Sequence, residues 1–254
     1  MTPPSALDTR TALFIDVDGT VLEIAPRPDL VEVPRSLPDL LQRRAAERNG
    51  ALALISGRPI AELDRLFWPY RSAAAGLHGI ERRQPDGSYA SAPFGDADQS
   101  AAEALEQLRP KLQSLVRRWP GALLEDKGRT LAMHYRAVPE AEAAVRDATV
   151  RLLRESGDAL RLIAGKMVVE FQSRHHDKGR VIAAFMAEPP FQGRVPVYLG
   201  DDTTDEDGFA EVNRRDGISI RVGPPPGRTA AVYELPSVQS VLEWLAGGPS
   251  VPTI

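Results

Sequence analysis

The chain has 254 residues, 43% of them hydrophobic and 26% charged, with a formal net charge of −4 and no cysteine. That length accommodates one large domain or two smaller ones, and the composition is that of an ordinary globular protein. No apolar run is long enough to span a bilayer, disulfides and thiolate chemistry are excluded, and the negative net charge argues against general nucleic-acid binding. Residues 1–10 lack the apolar segment of a signal peptide, so a reducing, cytoplasmic setting with no membrane or nucleic-acid partner is expected.

The first element is the apolar run Ala12-Leu13-Phe14-Ile15, which reads as a strand buried on both faces of a parallel sheet. It runs directly into Asp16-Val17-Asp18-Gly19-Thr20. Ligands of open α/β sheets bind beyond the carboxyl ends of the strands, and extended residues i and i+2 point the same way. Asp16 and Asp18 are therefore expected to face one site, and two carboxylates so placed need a positive partner. A phosphate-transferring site built on Mg²⁺ is the chemistry this suggests.

A Pro-punctuated loop at 24–34 leads to a helix over 36–49, with Ser36 as N-cap and Gly50 as stop. A strand at 51–55 ends in Ser56-Gly57-Arg58-Pro59, where Pro59 suits a first helical turn. A third strand at 73–77 is followed by His78-Gly79. Alternating strands and helices in this order imply a parallel sheet with right-handed crossovers. The texture then changes. After the hairpin-type turn Pro85-Asp86-Gly87 come a helix over 99–118, strands at 122–126 and 130–136, a helix over 140–156, and strands at 160–164 and 167–171. Helix–hairpin–helix–hairpin is the pattern of an antiparallel sheet with two helices on one face. From Asp177 the first texture resumes, with a helix over 178–188 and a strand at 195–199 ending in Gly200-Asp201-Asp202-Thr203-Thr204-Asp205-Glu206. Another helix, a short strand at 218–222, the Pro224-Pro225-Pro226 loop and an amphipathic helix at 238–245 complete the chain. The expected fold class is α/β. A Rossmann-like parallel-sheet core, residues 1–81 and 173–254, carries an inserted α+β cap, residues 82–172.

Gly200-Asp201-Asp202 is a second acidic cluster at a strand end. Mg²⁺ favours one or two carboxylates with waters and phosphate oxygens, and Asp16 and Asp201 on adjacent strands would supply them. Thr203 and Glu206 have capping-box spacing, which explains those two as a helix start but not Asp201 and Asp202. Taken singly, Ser56 is a turn residue and Lys178 a solvated lysine at a helix start. Their order between the two acidic motifs makes them candidates for holding a phosphoryl group. By period-2 alternation Glu125 and Lys127 share a face, as do His134 and Arg136, and Lys166 and Glu170, while Leu131, Met133, Tyr135, Met167, Val169 and Phe171 take the other. Alternation alone makes the charged face a solvated one. His175 and His176 read as exposed loop residues.

This order of motifs resembles the haloacid dehalogenase superfamily of phosphotransferases. Ile55-Ser56-Gly57-Arg58, Gly76-Leu77-His78-Gly79, Glu125-Asp126-Lys127-Gly128, His134-Tyr135-Arg136, Gly165-Lys166-Met167-Val168-Val169-Glu170, Lys178-Gly179 and the run from Gly200 to Glu206 further resemble the trehalose-6-phosphate phosphatase family, over about residues 11–222. The departure is His175-His176-Asp177 ahead of Lys178. The resemblance implies that Asp16 is the nucleophile forming an aspartyl-phosphate and Asp18 the acid and then the base. It implies that Ser56 and Lys178 hold the transferred phosphoryl group. It also implies a Mg²⁺ site of Asp16, the backbone carbonyl of Asp18, and Asp201, with Asp202 and Asp205 acting nearby or through water. In the cap it turns the charged face into a sugar site, where Glu125, Lys127, Arg136 and Glu170, helped by Lys166, grip the hydroxyls of trehalose 6-phosphate. Arg58 and His78 would line the site. The implied activity is hydrolysis of trehalose 6-phosphate in trehalose biosynthesis, by a monomer whose cap closes over the sugar. A phosphatase of sucrose phosphate or mannosyl-3-phosphoglycerate, or an inactive sugar-phosphate sensor, are the alternatives left open.

Overall fold

Strand β1 (Thr11–Ile15) sends Leu13 and Ile15 into one apolar cluster and Ala12 and Phe14 into another, so both its faces are buried. The computed structural model describes residues 1, 3–4, 8–25, 30–89, 96–165, 167–224 and 227–247. The remaining strands, in chain order, are β2 (Leu52–Ile55), β3 (Ala73–Gly76), β4 (Glu81–Arg83), β5 (Leu123–Asp126), β6 (Leu131–His134), β7 (Leu160–Gly165), β8 (Val168–Ser173), β9 (Val195–Gly200), β10 (Ile218–Val222) and β11 (Tyr233–Leu235). The helices are α1 (Leu37–Ala46), α2 (Ile60–Leu66), α3 (Asp96–Val116), α4 (Glu142–Glu155), α5 (Lys178–Met186), α6 (Glu206–Asn213) and α7 (Val238–Leu245). Two units result, Met1–Ser91 with Asp177–Ile254, and Ala92–His176.

In the first unit the strand order is β11-β10-β9-β1-β2-β3-β4, parallel except for β4, which runs antiparallel to β3. From β1 the chain winds outward through β2 and β3 on one side, and later through β9, β10 and β11 on the other. The winding therefore reverses between β1 and β9, the switch point at which open α/β sheets bind ligands. The register Ile15↔Leu199 sets the carboxyl ends of these two strands side by side. Helices α1, α2 and α7 cover one face of the sheet through Leu41, Ile60 and Leu245, and α5 and α6 cover the other through Phe185 and Phe209. Phe14, Phe185 and Phe191 pack with ring centroids 5.0 to 6.1 Å apart.

The second unit is an antiparallel sheet of order β5-β6-β8-β7. Leu105, Leu108 and Leu112 of α3 meet Leu131, Leu160 and Phe171, and Val145 of α4 joins Met133 and Val169, so both helices lie on one face. The expected boundaries at 82 and 172 move. The turn at residues 84–88 keeps Arg82 and Arg83 in β4, paired with Ala75 and Ala74 of the large sheet, and β8 extends to Ser173 opposite Leu160. Strand β11 has no apolar run to announce it, since Glu234 sits at its centre. Among the described residues no helix is long and apolar enough to cross a membrane.

Phe14→Ala would leave a void inside the aromatic cluster of β1 and α5. It should cost about 3–5 kcal/mol in urea unfolding, and a loss below about 1 kcal/mol would mean the cluster collapses onto the gap.

Candidate active site

Asp16 leaves β1 with its amide donating to Leu199 O on β9 at 3.0 Å, which anchors the carboxylate at the switch point. Its Oδ2 accepts from the Thr20 hydroxyl at 3.1 Å and its Oδ1 from Lys178 Nζ at 2.7 Å. Lys178 opens α5, a helix started by Asp177, whose side chain accepts from the Arg180 amide at 2.7 Å. The lysine is buried to 3% exposure, and its second partner is Asp205 Oδ1 at 2.6 Å. Asp205 Oδ1 also accepts from the Tyr198 hydroxyl, and its Oδ2 accepts from the amides of Asp201 and Asp202 at 2.9 and 2.8 Å. A carboxylate has about four acceptor positions, and four donors reach this one. Asp205 therefore organises the site, fixing the lysine and the Asp201–Asp202 backbone together.

Carboxylate oxygens of Asp16, Asp201 and Asp205 lie within 4.8 Å of one another. The close approach depends on Gly19, which has φ +83° and where a Cβ would fall 2.1 Å from Asp201 Oδ2. Arg221 on β10 braces the same loop by donating to the carbonyls of Asp201 and Asp202. Burial pushes the Asp16 carboxyl well above the usual range; Lys178 opposes this while Asp205 and Asp201 add to it. Burial would lower Lys178, but Asp16 and Asp205 outweigh it and hold the ammonium above its ordinary value. Asp16 and Asp205 share the Lys178 ammonium, Asp201 lies beside them, and this cluster of hard oxygen donors could hold a metal ion.

Asp18 is paired with Arg58, a partner the sequence did not announce. Its two oxygens accept from Arg58 Nε and Nη2 at 2.7 Å each, so a guanidinium fork, not the carboxylate cluster, surrounds it. Arg58 in turn donates through Nη1 to Glu62 at 2.6 Å. Burial would lower Arg58, but Asp18 and Glu62 outweigh it and raise the guanidinium above its ordinary value. Asp202 has a capping role as well. With φ −115° and ψ 175° it is the N-cap of a short turn, Thr203–Asp205, and accepts from the Thr203 amide at 2.7 Å. The capping box is thus Asp202 with Asp205, one residue earlier than the Thr203–Glu206 spacing suggests. Ser56, at the end of β2, accepts from the Arg58 amide at 3.1 Å, and its carbonyl accepts from the amide of His78 at 3.0 Å. The His78 ring lies against Gly57, where a Cβ would come 2.6 Å from Nε2. Ser56, Arg58, His78 and Asp18 thereby form one patch.

In the second unit the registers Glu125↔Ala132 and Ala132↔Glu170 place the two glutamates on one face, flanking an alanine. Lys127 Nζ lies 3.8 Å from Glu125 and 3.7 Å from Glu170, and His134 Nε2 is 2.8 Å from Glu125. The His134 hydrogen bond and the nearby Lys127 outweigh burial and hold Glu125 below the usual carboxylate range. Arg136 is exposed just beyond β6. Lys166 lies outside the described residues. His176, expected to be exposed, is buried and pairs through Nε2 with Asp98 Oδ1 at 2.6 Å, whereas His175 is half-buried.

The family model for trehalose-phosphatase matches residues 14–239. The chain belongs to the trehalose-phosphatase family. It is 43% identical over 245 residues to the trehalose-6-phosphate phosphatase of Escherichia coli K12, covering 96% of this chain and 89% of that one. It is 41% identical over 242 residues to a probable trehalose-phosphate phosphatase of Sinorhizobium fredii, covering 93% and 88%. Among solved structures, the C-terminal domain of the C. albicans trehalose-6-phosphate phosphatase shares the fold at a TM-score of 0.79 and 21% identity, covering 94% of this chain and 91% of that one. A haloalkanoate (HAD) superfamily phosphatase of Bacteroides thetaiotaomicron shares it at 0.60 and 16%, covering 92% of each chain. This member of the trehalose-phosphatase family is thus a phosphoric monoester hydrolase with a Rossmann-like core.

Tyr198, Arg221 and Glu62 reach the site residues without having been singled out in the sequence. Arg221 carried a readable signal, a charge inside the apolar strand 218–222. Tyr198 looks like any core aromatic and Glu62 like any acid in a first helical turn, so only pairing reveals them. A divalent cation added to metal-free protein should raise its melting temperature, by about 2.7 kcal/mol in stability at a hundredfold excess over Kd. Because Asp16 is shifted upward, protons compete for it to higher pH, so the cation-induced shift should grow as pH rises through that elevated value. Asp201→Asn should abolish it. A shift indifferent to pH would contradict binding at Asp16.

Proposed function

We propose that the protein is a Mg²⁺-dependent phosphatase that hydrolyses trehalose 6-phosphate to trehalose and phosphate through an aspartyl-phosphate on Asp16, within trehalose biosynthesis. The reading rests on the buried Asp16–Lys178–Asp205 arrangement at the winding switch of the sheet, in a chain of the trehalose-phosphatase family. Asp16 and Asp201, with the backbone carbonyl of Asp18, would hold Mg²⁺ directly, and Asp202 and Asp205 would act nearby or through water, since donors already occupy the acceptor positions of Asp205. Bound there, Mg²⁺ supplies charge neutralisation for the phosphoryl oxygens.

The chain's own groups do the rest. Lys178 and Thr20 each hold one oxygen of Asp16, so the nucleophile is oriented before substrate arrives. The Lys178 ammonium and the Ser56 hydroxyl face the charge that develops on the transferred phosphoryl group. Asp18 protonates the departing sugar oxygen and then takes a proton from the attacking water. Residues 92–176 act as the specificity module. Glu125, Lys127, Arg136 and Glu170 alternate acceptors and donors, which suits vicinal hydroxyls. Lys166 keeps its sequence-based role as a helper. The setting is a cytoplasmic monomer acting on a small molecule.

Phosphate release from trehalose 6-phosphate should require Mg²⁺ and exceed that from sucrose or glucose 6-phosphate by roughly tenfold or more in kcat/KM. Equal rates across such a panel would reject the trehalose assignment. Asp16→Asn should reduce turnover to background while sparing the fold. Glu125→Ala and Arg136→Ala should each lower turnover of trehalose 6-phosphate by about tenfold or more and leave a small aryl phosphate nearly untouched. Equal losses on both substrates would return that face to solvent.

A further inference from the structure

We infer that Glu62 is a positioning residue for proton transfer, setting the orientation of Asp18 through Arg58; the inference rests on the acid–base role proposed for Asp18. The three groups form a continuous chain. Arg58 presents Nε and Nη2 side-on to the two oxygens of Asp18 at 2.7 Å each, and its Nη1 donates to Glu62 Oε1 at 2.6 Å. The Arg58 backbone is fixed independently, since its amide donates to Ser56 Oγ and its carbonyl accepts from the Leu77 amide at 3.1 Å. Two carboxylates on different sides of one planar fork help to fix its plane, so Glu62 contributes to holding the edge that Asp18 uses.

The placement of the charges favours the same role. The Arg58 side chain is only 9% exposed, while that of Asp18 is 34% exposed. The buried guanidinium is therefore the fixed member and Asp18 the one facing outward. Glu62 places a second carboxylate on the same guanidinium, on the Nη1 side. The competing explanation is that Glu62 is simply an acid in the first turn of α2, where negative charge stabilises a helix start. That turn already has an acceptor, Glu81 Oε2, on the Ile60 amide at 2.7 Å, and the nearby Arg65 is 3.4 Å from Glu62 and largely exposed. A helix-start acid would affect stability alone. A positioning residue would affect the step that needs a proton delivered to the leaving group.

The test is single-turnover release of phenol from phenyl phosphate and of nitrophenol from p-nitrophenyl phosphate by the full-length Mg²⁺-loaded enzyme. Nitrophenolate leaves readily without a proton and phenolate does not, so loss of an aligned acid weighs on the first substrate. Asp18→Asn sets the reference and should slow phenyl phosphate the more. Glu62→Ala should follow it, losing on the order of tenfold on phenyl phosphate and less than about twofold on p-nitrophenyl phosphate. Glu62→Gln, which can still accept from Nη1, should recover most of the loss. Equal losses on both substrates, no loss on either, or no recovery with glutamine would overturn the inference. If Asp18→Asn itself shows no leaving-group dependence, the acid role of Asp18 fails and this inference with it. Neither outcome depends on whether trehalose is the natural leaving group.

Discussion

Burial of the Lys178 ammonium between Asp16 and Asp205 is the interaction on which the other parts of the site depend. An ammonium or carboxylate removed from water without a partner is heavily penalised, so the three groups hold their places only together. Each comes from a different element: Asp16 from the end of β1, Lys178 from the start of α5, Asp205 from the turn after β9. Asp205 extends the constraint by accepting from the Asp201 and Asp202 amides and from Tyr198 on β9. One carboxylate thereby ties the chemical loop to the sheet from which it emerges.

Close packing around these charges relies on missing side chains. Gly19 has a left-handed φ and admits the Asp201 carboxylate against bare backbone, and a Cβ on Gly200 would lie 2.3 Å from the Asp205 carboxyl carbon. The result is a close cluster of carboxylates around one buried ammonium. The elevated Asp16 carboxyl is the electrostatic cost of that arrangement.

The inserted unit obeys a simpler rule. An antiparallel sheet covered on one face leaves the other face polar. Here that polar face is not a scatter of solvated charges, because Lys127 sits between Glu125 and Glu170, and His134 adds a hydrogen bond to Glu125. The mixed, mutually paired set comes from three different segments of the sheet. His176 and Asp98, joined at 2.6 Å, close the two ends of the same unit.

The sequence alone determined the alternation of apolar strands and helices, the two acidic strand ends, the inserted module and the two-faced hairpins of that module. These features follow from local periodicity, so a linear reading reaches them. Lys178 was found by its order among motifs, but its burial was not, since a helix-start lysine looks the same whether solvated or enclosed. Tertiary structure alone decided how the charges are partnered. Asp18 and Arg58 are 40 residues apart and meet in a bidentate pair. Asp202 became a cap because its backbone turns one residue earlier than the Thr203–Glu206 spacing implied. His176 became a core residue because Asp98, 78 residues away, reaches its ring. A carboxylate's role depends on which donor arrives first at its oxygens, and those donors come from distant elements that only the folded sheet brings within hydrogen-bond reach.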